Sequence, residues 1–225
     1  MNKAALHKNE LGYGIYTVSD ISRLLKLEPG KVRRYLKNYW DEGLISKLYK
    51  DSYSWKNSRG NKAVNFYMLI EFFSFFKLKE IGVKTSTILK ARLNIASELR
   101  TAYPFASAGL LSDGKKIWYE VENDIVNADG SCQTNFVNII KAFTEKIDFG
   151  QDKLANRFWP DGKLSSVVVD PHHQFGQPVI NGTNINTEML FSMYSSGESI
   201  ESIRDLYELS EKEIIDAINF YQKAA

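Results

Sequence analysis

Four basic side chains between residues 31 and 37 have the chemistry to bind a polyanion. Two are arginines, Arg33 and Arg34, whose guanidinium groups can donate paired hydrogen bonds to a guanine edge. The other two, Lys31 and Lys37, carry compact charges suited to phosphate. We therefore expect Arg33 and Arg34 to contact base edges of DNA and the lysines to contact its phosphates. An ordinary charged surface helix is the alternative interpretation.

A second group, Asp170, His172 and His173, could act as metal ligands or as an acid and a base. The side chains of adjacent histidines diverge in most backbones, and no second carboxylate or cysteine lies at helical ligand spacing. We therefore predict no catalytic residue, no metal site and no cofactor. A metal-dependent enzyme stays open as a third class, which would require metal bound to His172 or His173.

Two predicted helices position the basic side chains. The first covers 15–25, with Thr17 or Ser19 as its N-cap. A break follows at Glu28-Pro29-Gly30, where Pro29 can begin the next helix. The second covers 31–40, with an apolar stripe on one face and the basic residues outside it. Helix, tight turn and basic helix form a helix-turn-helix, whose second helix enters the major groove of DNA.

The following segment predicts a wing, which is a basic loop between two strands that rests on the DNA backbone. Residues 54–62 have this polar, basic composition.

An aromatic run over 66–76 has helical spacing and predicts packing in the core or a dimer interface. A further helix is predicted over 85–100. The predicted DNA contacts outside the second helix are Thr17, Ser19, Lys56, Arg59 and Lys62.

Short motifs of the N-terminal part carry a family resemblance. They are Tyr16-Thr17-Val18, Gly43-Leu44-Ile45, Gly82-Val83-Lys84-Thr85 and, as a partial match, Arg34-Tyr35-Leu36. In this order they resemble the DNA-binding half of MerR-type regulators, which is a winged helix-turn-helix. The resemblance implies operator DNA as a ligand and a homodimer.

The C-terminal part contains the most specific motif, D-P-x(4)-G-x-P-V-I-x-G-T, whose prolines and glycines restrict the backbone. Its defining positions are Asp170, Pro171, Gly176, Pro178, Gly182 and Thr183. The run 167–169 before it predicts a strand that ends at Asp-Pro. The motif resembles a small bacterial antitoxin domain catalogued as a domain of unknown function, although Asn184 stands where such domains usually carry arginine.

The last residues predict a helical pair with helix-turn-helix-like topology. The helical runs are 187–194, 199–207 and 210 onward, with Ser199 and Ser210 as N-caps. The last run begins Glu211-Lys212-Glu213, a charge pattern that phosphates disfavour. We therefore expect this part to contact protein, with DNA as a minority alternative.

Charge divides the 225-residue chain, whose net charge is only +2. Residues 1–105 contain 19 Lys and Arg against 9 Asp and Glu, whereas residues 106–225 contain 10 against 18. The basic half suits a polyanion and the acidic half a different partner.

We predict a mainly α fold with small β elements (α+β) in three parts. These are a winged helix-turn-helix over 1–105, a bridging hairpin and helix over 106–165, and an antitoxin domain over 166–225.

The run 155–162, which contains Trp159-Pro160, is interpreted as an extended connector to the C-terminal part. Over the whole chain, the MerR-like start, this connector and the Asp-Pro module resemble the VapB-type antitoxins of VapBC modules. The resemblance implies an antitoxin that neutralises a PIN-like ribonuclease toxin and represses its own operon, as a homodimer within a hetero-oligomer. The alternative is a stand-alone, ligand-responsive MerR-type regulator without a toxin.

Composition predicts a cytoplasmic protein with no membrane partner. No apolar run is long enough to cross a bilayer, and the first residues lack the apolar centre of a signal peptide. The single cysteine, Cys132, fits a reducing compartment because it cannot form an internal disulfide.

Overall fold

The computed structural model of the chain describes residues 13–42, 53–56, 60–80, 82–108 and 145–222. Within these ranges helices dominate and the strands form two small antiparallel sheets. This confirms the predicted mainly α class with small β elements. None of the described helices is long and apolar enough to cross a membrane. The predicted features that lie outside the described residues are the Gly43-Leu44-Ile45 motif, Arg59, the bridging hairpin, most of the bridging helix, and Cys132.

The first predicted helix begins at its predicted N-cap. Strand β1, Tyr16–Thr17, leads directly into α1, Val18–Leu25. The Thr17 hydroxyl accepts a hydrogen bond from the Asp20 N–H, and the Asp20 carboxylate accepts one from the Thr17 N–H. This reciprocal capping box satisfies two backbone donors. Lys26, in a left-handed conformation, then ends the helix.

The second helix, α2, spans Pro29–Tyr35 and continues into a wider π-helical segment, Leu36–Asp41. It begins at Pro29 as predicted, because the first helical turn does not need the N–H that proline lacks. Val32, Leu36 and Trp40 are buried, so the apolar stripe faces the core.

A three-stranded antiparallel sheet in the order β1–β3–β2 holds the chain just before α1. Strand β2 is Trp55–Lys56, and the central strand β3 is Lys62–Val64. Ala63 pairs with Thr17 on one side and with Trp55 on the other. The two strands predicted to flank the basic loop are therefore present.

Two long helices, α3 (Phe66–Glu80) and α4 (Thr85–Leu99), confirm the helical interpretation of the aromatic run and the predicted further helix. The aromatic side chains of α3 are too many for one helix face, yet almost all are buried because neighbours surround the helix. Phe72 stacks on Trp40 with ring centroids 4.7 Å apart, and Phe73 contacts Phe158 at 5.0 Å. These aromatics therefore lie in the core.

A fully buried ion pair joins α3 to α4. Arg92 Nε lies 2.6 Å from Glu71 Oε2, and both side chains have no solvent exposure. The Phe105 N–H donates to Glu71 Oε1 at 2.7 Å, and Arg92 Nη2 donates to the Ala102 carbonyl at 2.7 Å. Burial raises the pKa of Glu71, and Arg92 opposes that rise. The pair fastens the chain after α4 to both helices, since either charge alone would be costly to bury.

The second sheet has four antiparallel strands in the order β4–β5–β6–β7. They are Ile147–Phe149, Ala155–Phe158, Val167–Val169 and Pro178–Ile180. Strand β6 ends at Asp170-Pro171, as predicted. The interpretation of 155–162 as an extended connector is wrong, because β5 is an interior strand paired with β4 and β6. Its four residues are too few and too polar to show a strand period, so pairing alone defines the strand.

Three helices occupy the three predicted helical runs: α5 (Thr187–Ser195), α6 (Ile200–Tyr207) and α7 (Glu211–Gln222). Each contributes to one buried cluster, through Leu190, Ile203 and Ile214 respectively. Both predicted N-caps are confirmed. Ser199 accepts from the Ser202 N–H, and Ser210 forms a capping box with Glu213.

One hydrophobic core crosses the two predicted boundaries, after residues 105 and 165. Its buried members come from every part, and include Tyr16, Phe73, Phe105, Phe158, Val167 and Phe220. The division into three parts stays a prediction, and the packing places all three around common side chains.

Candidate nucleic-acid interface

The outer face of α2 and its π-helical continuation is basic. Arg33, Arg34 and Lys37 are exposed, opposite the buried Val32 and Leu36. This is the division between apolar stripe and basic face that the sequence predicts. Three cations on one solvent-facing surface can approach a polyanion without desolvating the core.

The cations of this basic face keep only weak contacts within the protein. Arg34 lies over the ring of Tyr35 at 5.5 Å, and Lys37 lies 3.8 Å from Glu42, with both members of that pair well exposed. Lys31 is half-buried, with its ammonium 4.9 Å from the centroid of the Phe76 ring. Exposed pairs of this kind contribute little to stability, so phosphate can replace them at low cost.

The predicted wing residue Lys62 is held against the end of the π-helical segment. Its ammonium lies 2.6 Å from Asp41 Oδ2, which also accepts from the Ser54 hydroxyl at 2.7 Å. Sequence reasoning missed Asp41, because nothing local marks it as the partner of residues 13 and 21 positions further along the chain. Lys56 on β2 is exposed. The sheet and the basic helix are thereby joined by charge as well as by packing.

The structure distinguishes the two hydroxyl residues predicted to contact DNA. Thr17 is engaged in the capping box, where its hydroxyl also donates to Asp20 Oδ2 at 2.7 Å. Ser19, in the first turn of α1, is exposed. Thr17 therefore positions α1, whereas Ser19 presents its hydroxyl to solvent.

Local hydrogen bonds and backbone geometry explain why Asp170, Pro178, Gly182 and Thr183 occur in the C-terminal motif. Asp170 is buried and accepts from the His172 N–H at 2.9 Å and from Arg157 Nε at 3.1 Å, which closes the turn after β6. Pro178 opens β7 at the edge of the sheet, where its missing N–H costs no ladder bond. The Thr183 hydroxyl donates to the Ile180 carbonyl at 3.0 Å, in a turn whose Gly182 has φ +80°.

The same motif touches the N-terminal part. Gly176 has φ +81°, and a Cβ built on it would lie 2.7 Å from Tyr16 Cζ. The Ile15 N–H donates to the Phe175 carbonyl at 3.0 Å. The loop that carries Gly176 thus packs against strand β1, which leads into α1.

Helix α1 also rests on the C-terminal part. Lys26 pairs with Asp161 at 2.8 Å, and Arg23 lies 3.8 Å from Glu188 and over the ring of Tyr221 at 5.3 Å. These partners are far apart in sequence, so no local signal could have found them. The helix that supports α2 is consequently in direct contact with the C-terminal helices.

Within the part of the chain that the structure describes, no group of three or more His, Cys, Asp or Glu residues could hold a metal ion. His172 Nδ1 lies 3.3 Å from Asp170 Oδ1, and His173 Nδ1 lies 2.6 Å from Asn184 Oδ1. His173 Nε2 also lies 3.9 Å from Asp170 Oδ2, so both imidazoles border the same carboxylate.

Comparison with known proteins finds a family model that matches the C-terminal part of the chain. Residues 167–221 match the model of a family described as a protein of unknown function, DUF433. The match includes β6, β7, the whole Asp-Pro motif and helices α5 to α7, so this module is similar to that family.

A curated protein and a solved structure, both from Mycobacterium tuberculosis, are similar to the chain. The protein named "Putative antitoxin VapB45" is 27% identical over 90 residues, which are 40% of this chain and 38% of that protein. The chain thus matches about two fifths of that relative's length. The X-ray crystal structure of Rv2018 matches 90% of this chain and 96% of its own, with a TM-score of 0.71 and 19% identity. The two share a fold.

Proposed function

We propose that this chain is a DNA-binding antitoxin that represses its own operon and neutralises a PIN-like ribonuclease toxin. The observation that carries the DNA part is the exposed basic face of α2, which α1 and the β1–β3–β2 sheet hold in place. Similarity over 90 residues to a protein named as an antitoxin supports the toxin part.

On DNA, α2 enters the major groove with Arg33 and Arg34 toward base edges. Lys31 and Lys37, with the wing residues Lys56, Arg59 and Lys62, contact phosphates, and Ser19 contacts the backbone from the start of α1. Neutralising phosphates releases counterions, which makes the affinity depend on salt. The protein binds as a homodimer, which places two such helices on a two-fold operator.

On the toxin, the C-terminal domain acts by occlusion and carries out no chemistry itself. Helix α6 presents Glu201 and Asp205 to solvent beside Leu206, whose side chain is 64% exposed. An exposed apolar anchor within an acidic surface suits the basic surroundings of an RNA-binding site. The partner is therefore expected to present a basic surface.

The DNA proposal is tested with the double variant Arg33→Ala/Arg34→Ala in a promoter-binding titration at several salt concentrations. We expect at least about a tenfold loss of affinity and a shallower salt dependence, by about one to two phosphate contacts. The control Lys84→Ala/Arg204→Ala removes the same charge from exposed positions on other elements. Equal affinity and salt slope for wild type and the double variant would refute the assignment of α2.

The toxin proposal is tested by affinity purification at native expression level, with mass spectrometry of what stays bound in moderate salt. A small PIN-like protein in near-stoichiometric amount is the expected result. Recovery of this protein alone, with its chromosomal neighbour expressed, would contradict it.

A ligand-responsive MerR-type regulator is the second candidate function. A cleft of about 240 Å³ between the start of α3 and the β4–β5 hairpin favours this candidate. A small molecule that changes operator affinity in a toxin-free preparation would establish this candidate.

A further inference from the structure

A cleft of about 240 Å³ lies where the N-terminal and C-terminal parts meet. One wall is aromatic, from Tyr13 and from Phe66 and Tyr67 at the start of α3. The other wall comes from the β4–β5 hairpin and includes Asp152 and Asn156. The cleft is large enough for a small organic molecule and has both apolar and polar walls, as ligand sites usually do.

The polar wall offers hydrogen-bond acceptors. Asn156 Oδ1 is buried, and no donor among the described residues contacts it. A buried carbonyl oxygen without a donor is costly, so turning this amide toward the cleft would let its oxygen accept from an incoming N–H group. The exposed Asp152 adds a carboxylate, of which one oxygen accepts from the Leu154 N–H at 3.0 Å. An acceptor and a negative charge therefore lie in one wall.

The aromatic wall is suited to a cation. The rings of Tyr13 and Tyr67 lie edge to face, with centroids 5.7 Å apart. Burial raises the pKa of Tyr67 to about 12, with Tyr13 and Asp152 adding to the rise, so its phenol stays neutral at ordinary pH. Electron-rich tyrosine rings attract ammonium groups electrostatically. Both walls consequently favour the same kind of ligand.

We propose that this cleft binds a small organic cation, an ammonium group attached to an apolar body. The ammonium pairs with the Asp152 carboxylate and with the Asn156 amide oxygen turned toward the cleft, while the apolar body packs on Tyr13 and Tyr67. Because Pro171 and His172 of the C-terminal motif also line the cleft, the ligand would contact both parts of the chain at once. This inference does not depend on a toxin partner.

The probe is 2-phenylethylamine, with 2-phenylethanol as its neutral counterpart of the same shape, titrated into the full chain and followed by NMR. Asp152→Asn is the test variant, because it removes the charge but keeps the oxygen that accepts from Leu154. Glu98→Gln is the matched control, since it removes an exposed charge from α4. We expect a dissociation constant of about 1 mM or tighter for the amine, weakened about tenfold in Asp152→Asn and unchanged in Glu98→Gln.

Three results would overturn the proposal. They are the absence of chemical-shift changes up to about 10 mM amine, equal affinity for the amine and the alcohol, and equal affinity of wild type and Asp152→Asn. Asn156→Leu supplies a second readout where it folds. It removes the buried acceptor and is expected to abolish the preference for the amine over the alcohol.

Discussion

At the scale of single residues, Gly176 and Gly182 show that one type of residue can serve two purposes in one motif. Both have φ near +80°. At Gly182 a Cβ would meet nothing within 4 Å, so only the left-handed backbone requires glycine. At Gly176 a Cβ would also run into the ring and hydroxyl of Tyr16. Gly176 therefore serves the contact between the two parts, and Gly182 serves the turn.

This difference predicts unequal effects of the same substitution. Gly182→Ala should lower the free energy of unfolding by about 1 kcal/mol through backbone strain. Gly176→Ala should lower it by about 3 kcal/mol, because strain and overpacking against Tyr16 add. Urea denaturation of both variants measures the difference. Equal losses would mean that the Tyr16 contact is not important for stability.

At the scale of elements, α1 is positioned from its first turn. The capping box of Thr17 and Asp20 sets where the helix begins, and β1 sets its direction through pairing with β3. The neighbouring Ser19 takes no part in the cap. The two hydroxyls predicted to contact DNA are thus separable by experiment.

Thr17→Ala should destabilise the protein by about 1 kcal/mol through loss of the cap. Ser19→Ala should change stability by less than about 0.5 kcal/mol, as expected for an exposed position. If Ser19 contacts the DNA backbone, only its replacement should weaken promoter binding at unchanged stability. Thermal unfolding combined with the promoter titration distinguishes the two roles, and a stability loss from Ser19→Ala as large as that from Thr17→Ala would contradict this assignment.

Helix α7 is fastened to the sheet through a carboxylate. Asp216 Oδ2 accepts from the Ser166 N–H at 2.8 Å and lies 2.5 Å from Lys212 Nζ. Burial, the largest single influence, acts to raise the pKa of Asp216. The hydrogen bonds from Lys212 and Ser166 together outweigh it and hold the pKa below its ordinary value.

A lowered pKa means that the charged carboxylate stabilises the fold above about pH 4 and that this stabilisation is lost as the pH falls through the folded-state pKa. Asp216→Asn should therefore be less stable than wild type by about 1 kcal/mol at neutral pH. The difference should shrink as the pH falls below about 4. Urea denaturation across this range tests the prediction, and a difference independent of pH would refute it.

At the scale of the whole molecule, the basic and acidic halves share one core. Phe73 of α3 packs on Phe158 of β5, and Arg23 of α1 lies over Tyr221 of α7. Helix α1 thus connects α2 to the C-terminal helices. The parts of the chain that differ in charge therefore pack around common side chains.

A shared core predicts a single unfolding transition. Calorimetry of the full chain should give equal calorimetric and van't Hoff enthalpies. Phe73→Ala should lower the free energy of unfolding by about 3 kcal/mol or more and shift that one transition without splitting it. The control Phe175→Ala changes a side chain that is 65% exposed and should have little effect. Two separate transitions in Phe73→Ala would show that the parts unfold independently.

The sequence by itself determined what is decided within a few residues. Some side chains hydrogen-bond to the adjacent backbone or restrict it, and these set where elements begin and end. They account for the N-caps at Thr17, Ser199 and Ser210, the start of α2 at Pro29 and the end of β6 at Asp170. The α+β class and the division of α2 into an apolar and a basic face follow from local periodicity.

Only the tertiary structure decided which distant residues meet. Several contacts join segments that no local preference connects. They are the pairing of strand β5, the ion pair of Lys62 with Asp41, the buried ion pair of Glu71 with Arg92, and the packing of Tyr16 against Gly176. The cleft likewise forms from two parts of the chain. Such contacts depend on how whole surfaces fit, and a residue's type and immediate neighbours do not contain that information.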